Sequence, residues 1–239
     1  KRLLTKLNKN DFSKEVITIS SPIVRKKFDD SINKTNDNIS KEEEYVLNVL
    51  RKMLDIYCTF EQLCYIPSFL SKYDEKFYKK RGINHQQYLS YHLESHYFKV
   101  IKINDQLCSL VSEVYYLGIP SKLAKLPFLR ENKITKNTSS VEALKKFEKD
   151  LKEIRTERNI VAHSGKITDK KINEYDFYHS LGELLPNHKV DKKILKGLIR
   201  VLVKEKKDLI EKNNESVLQH VQLVFITLLV RFKSIANAS

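Results

Sequence analysis

Apolar residues in this chain recur at helical spacing over most of its length. Val46, Val49, Met53, Ile56, Phe60 and Leu63 alternate steps of three and four, one apolar stripe of an α-helix. Ser40 and Glu43 just before it have the spacing of a capping box, and Pro67 is expected to end or bend the helix. A second stripe runs through Leu89, Leu93, His96, Val100, Ile103, Leu107, Leu110, Val114 and Leu117, from about Asn84 to the stop signals Gly118 and Pro120. A third helix is expected to open at Ser139, with Glu142 completing a capping box, and to run without a break to Gly165 on Leu144, Phe147, Leu151 and Ile154. Residues 171–183 suggest a short helix. The C-terminal part reads as helix from about 191, interrupted near "KNNES", with a last stripe of Leu218, Val221, Phe225, Leu228, Phe232 and Ile235. Residues 1–39 are less regular. Their β-branched run "EVITISSPIV" suggests a short strand or an extended arm, so 1–39 reads as an N-terminal extension and 40–239 as a helical domain.

Composition supports this picture. With 239 residues and 41% hydrophobic positions the chain can bury a core, and five Gly and five Pro are too few for an all-β fold. The expected class is all-α, an up-and-down bundle with additional C-terminal helices; no repeat of fixed period points to a solenoid. The apolar run 217–232 holds Gln219, His220, Gln222 and Arg231 and reads as a core helix rather than a membrane span. Cys58, Cys64 and Cys108 form no metal-type pair and read as thiols of a reducing cytosol; no signal peptide is recognised, and the expected location is cytoplasmic. The formal charge of +14 suggests an anionic partner, nucleic acid first, or else a surface of solvated lysines.

Charge also interrupts the third stripe. After 144, 147, 151 and 154 the next positions are 158 and 161, and 158 is an arginine. A guanidinium cannot shed its proton, so an unpaired Arg158 in a dry core would cost about 3–5 kcal/mol. It needs an acid or a wet cleft. Asp105 and Glu94 are candidate acids on a flank of the second helix, although each also reads as an exposed flank residue. Asn159 and His163 are four apart and share a helical face. The plain reading is an interface arginine beside a histidine that favours the negative end of a helix. His85, His92 and His96 fall at helical spacing, but a zinc site would need a fourth ligand that no spacing supplies; His96 also reads as a core histidine. Lys149, Lys152 and Arg155 would either lay positive charge toward Asn159 and His163 or form ion pairs on a solvated face.

The string Arg158-Asn159-x3-His163, with Gly165 soon after, resembles the signature of the HEPN superfamily. That resemblance implies an all-α bundle over about 40–236 and a metal-independent endoribonuclease that needs no cofactor. His163 would be general base or acid, Arg158 would hold the phosphate and Asn159 would position them. It implies a homodimer in which two motifs share one cleft, an RNA substrate and no membrane partner. A toxin or phage-defence role and an antitoxin or other regulatory protein belong to the wider family. One toxin subgroup carries a tyrosine two positions after the histidine; Gly165 stands there, so adenylylation at that position is not implied. The alternative is a catalytically silent HEPN module that binds RNA or protein.

Overall fold

A computed structural model describes residues 2–33, 39–164, 167, 169–184 and 192–236. The described residues form helices and no strand. In chain order these are α1 (Arg2–Asn8), α2 (Asp11–Asn33), α3 (Lys41–Leu70), α4 (Glu75–Lys79), α5 (His85–Val114), α6 (Leu126–Glu131), α7 (Ser139–Asp150), α8 (Lys152–Ser164), α9 (Lys170–Leu184) and α10 (Lys192–Ala236). Two compact units share them. The first comprises Lys1–Glu61, Lys102–Asp150 and Ser216–Ser239, the second Gln62–Ile101 and Leu151–Glu215. The long helices α3, α5 and α10 each contribute to both.

The predicted stripes are the cores. In the first unit Val49, Met53, Ile56 and Phe60 of α3 are fully buried, as are Val221, Phe225, Leu228 and Phe232 of α10. Ser40 and Glu43 form the reciprocal capping box: each backbone N–H donates to the other side chain, at 3.0 and 3.1 Å. By length and composition α10 could cross a membrane. In the first unit its Val221, Phe225, Leu228 and Phe232 are buried, while Ile226 and Val230 are exposed.

The expected strand or arm at "EVITISSPIV" is corrected to helix. Phe12, Val16 and Ser20 of α2 are buried at four-residue spacing, and the Phe12 ring lies 5.1 Å from Phe225 and 5.7 Å from Phe232. Tertiary burial overrides the weak strand preference of β-branched residues. The capping box expected at Ser139 and Glu142 is also corrected. Thr138 caps α7, its hydroxyl accepting from the Val141 N–H at 3.4 Å, while Glu142 pairs with Lys145. The end of α5 falls at Val114, ahead of the glycine signal, because Tyr116 takes the left-handed conformation at φ 54°. The Leu117 N–H then reaches back to the Ser112 carbonyl at 3.0 Å.

Neither helix ends at its expected stop signal, and in the second unit the two signals explain each other. Pro67 lies inside α3, and α10 runs unbroken through "KNNES". Proline has no N–H, so the Leu63 carbonyl four residues earlier loses its helical donor. Asn214 of α10, 1% exposed, donates its side-chain NH₂ to that carbonyl at 3.1 Å. The asparagine that should interrupt one helix therefore repairs the other. Asn214→Ala should destabilise the protein by about 1–3 kcal/mol, the cost of an orphaned buried carbonyl. In a Pro67→Ala background, where residue 67 regains its N–H, the same change should cost much less. Urea unfolding of the four proteins measures this coupling, and equal costs in both backgrounds would refute it.

Candidate functional site

The helix expected over 139–165 divides at Leu151, which forms a turn. The Asp150 carboxylate lies 2.9 Å from the His220 ring in the first unit, and the Leu151 carbonyl accepts the Arg155 N–H at 2.8 Å to open α8 in the second. The apolar stripe is divided with it. Leu144 and Phe147 are buried in the first unit, Leu151 and Val161 in the second.

Arg158 lies between Leu151 and Val161 on α8 and is half-buried. Its Nε is shielded from water and has no hydrogen-bond partner among the described residues. The guanidinium carbon sits 6.0 Å from the centroid of the Phe98 ring on α5, at the outer limit of a cation–π contact. The neighbouring Tyr97 is buried: burial, then the charges of Glu157 and Asp169, push its phenol up to about 12. Asn159 and His163 are exposed, and neither side chain is hydrogen-bonded among the described residues. The C-terminal turn of α8 is tightened by Ser164, whose hydroxyl donates to the Ile160 carbonyl at 2.7 Å. Gly165 lies outside the described residues. Asp169 follows, its carboxylate accepting the Ile172 N–H at the start of α9 and pairing with Lys206 of α10.

The supporting residues separate. Asp105 belongs to the first unit and is ion-paired with Lys125 at 2.6 Å. Glu94 is in the same unit as Arg158, one turn before Phe98 on α5, half-buried, its carboxyl held above the usual range by burial. His96 is fully buried with both ring nitrogens unpartnered among the described residues, and burial pushes it down to about 3. It is a neutral core residue. Lys149 and Lys152 are exposed but sit on α7 and α8, in different units; Arg155 is half-buried.

His85 and His92 enter ring packing. His85 stacks on Tyr73 at 4.0 Å, and His92 stacks on Phe69 at 5.7 Å and meets Tyr88 edge-on. Among the described residues no group of three or more His, Cys, Asp or Glu is placed to hold a metal ion. What α8 offers chemically is an imidazole and a carboxamide in water, beside a half-buried guanidinium.

The family model described as HEPN_Cthe2314-like HEPN matches residues 20–228. No curated protein and no solved structure gives a significant match.

Proposed function

The chain belongs to the HEPN_Cthe2314-like HEPN family, whose membership points in general to a nuclease or an RNA-binding module, and on that premise we propose that it is an endoribonuclease acting as a homodimer. One observation carries the reading: Arg158, Asn159 and His163 form the family string on one helix, with the imidazole and carboxamide open to solvent.

RNA brings its own nucleophile. A base removes the 2′-OH proton, the 2′-oxygen attacks phosphorus, the bond to the 5′-oxygen breaks, and an acid protonates that oxygen. The products are a 2′,3′-cyclic phosphate and a 5′-hydroxyl. Imidazole can serve as base or acid near neutral pH, and a guanidinium matches the phosphate oxygens as charge gathers there.

One α8 supplies only part of this set. Arg158 and His163 are five residues apart, which turns them about 140° around the helix and about 7.5 Å along it. Arg158 faces Phe98, whereas His163 faces water. The second copy supplies the complement, so that two imidazoles and two guanidinia share one cleft. Incubation of RNA with the purified protein in EDTA, with analysis of the new ends, tests the proposal. Cyclic phosphate and 5′-hydroxyl ends are expected; intact RNA, or 3′-hydroxyl and 5′-phosphate ends, would overturn it.

A further inference from the structure

The second unit holds a cavity of about 630 Å³ that α8 does not line. Tyr73, His85, Tyr175 and His179 contribute rings to its wall, and α10 contributes a basic flank. A smaller hollow of about 300 Å³ shares Tyr73, His85 and Arg200 with it and extends along α10 past Lys204 to Lys207. The rings are already stacked: Tyr73 lies within 12° of parallel to both His85, at 4.0 Å, and Tyr78, at 5.3 Å.

The charges on this wall are unequal. Lys196 is 3.3 Å from Glu75, and Lys207 is 3.9 Å from Glu211, so each has an acid beside it. Arg200 and Lys204, one turn apart and exposed, have no ion pair among the described residues. Asn84 and Gln87 add two donors. Their side-chain oxygens accept each other's backbone N–H, at 2.9 and 2.7 Å, and neither amide NH₂ on this lining donates a hydrogen bond among the described residues.

Flat rings, free amide donors and two adjacent unpaired cations match the parts of an unpaired nucleotide. The base stacks on rings, its edge accepts from amides, and its phosphates meet cations. We propose that this groove binds an unpaired nucleotide of RNA, with the base at the Tyr73–His85 stack and the phosphates on Arg200 and Lys204. It is a second RNA contact, separate from α8, and it rests on RNA being the substrate. His85 contributes a ring rather than a charge, because burial holds it at about 4.

Anisotropy of a labelled, unstructured oligoribonucleotide on His163→Ala protein, which should not consume the probe, measures the contact. Adding Arg200→Ala and Lys204→Ala should lower the slope of log K against log salt by about 1.4, for two lost single-strand phosphate contacts. The corresponding loss of affinity is about 25-fold at 0.1 M salt. Lys133→Ala with Lys136→Ala, a charge-matched pair of exposed residues, should change neither, and all variants should keep the helical circular-dichroism spectrum. A photoreactive uridine in the probe should crosslink to one of the four rings on the cavity wall. Equal binding with and without Arg200 and Lys204, or crosslinks only elsewhere, overturns the groove and leaves the ribonuclease reading standing. Absence of RNA binding by the His163→Ala parent overturns both. Displacement of the probe by free uridine monophosphate at oligonucleotide-like concentration overturns the RNA assignment in favour of a free nucleotide.

Discussion

His163→Ala should lower the single-turnover rate of RNA cleavage by about 10²- to 10⁴-fold, the usual contribution of a positioned acid or base. The change isolates chemistry from folding. His163 is exposed, with no hydrogen bond among the described residues, so its truncation should leave stability within about 0.5 kcal/mol of the parent. A parallel loss of rate and stability would point to a structural histidine, and an unchanged rate would remove it from the reaction. The composite cleft adds a second arm. Wild-type chains that exchange subunits with an excess of His163→Ala chains should lose activity, since each mixed cleft then holds one imidazole in place of two. If wild-type activity survives the exchange undiminished, the two copies do not share a cleft.

The second large effect concerns the N-terminal helices. Phe12→Ala should cost about 3–5 kcal/mol in urea unfolding. Its side chain is fully buried between Phe225 and Phe232, with Leu7 and Val16 equally enclosed nearby. A cavity of phenylalanine size there removes packing from the last turns of α10 as well as from α2. If residues 1–39 were a dispensable extension, the cost would fall below about 1 kcal/mol, the range of changes outside a packed core.

Those two residues also mark what a reader of the sequence can and cannot see. The stripes of α3, α5 and α10 were legible because burial on one side of a helix writes a 3.6-residue period into the chain, as Val49 through Phe60 and Val221 through Phe232 show, even though apolar residues such as Leu54 and Ile226 also lie off the stripe. The helix over Asp11–Asn33 was not legible, because its β-branched residues obscure the four-residue spacing of Phe12, Val16 and Ser20. Punctuation failed where its remedy lies far away. Pro67 and Asn214 are each a sound local stop signal, and the bond that cancels both joins residues 151 positions apart. The break at Leu151 was hidden for the converse reason: the apolar stripe continues across it in sequence while its residues enter two cores.

At the candidate site, the family string and the oddity of Arg158 could be read directly. Its neighbour could not. Charge logic nominated Asp105 and Glu94, but the guanidinium lies near the Phe98 ring, and Asp105 is held by Lys125. The groove on α10 left no signal, since Tyr73, His85, Tyr175 and Arg200 come from four separate stretches of chain and only folding gathers them.

The bond from Asn214 to Leu63 has a consequence for how such a sequence can drift. Substitution of Pro67 first gives α3 back its own donor and leaves Asn214 free to change afterwards. Substitution of Asn214 first passes through a protein with a stranded carbonyl. The two orders reach the same end point, but only one is a level path. Descendants of this sequence should therefore lose the proline before the asparagine.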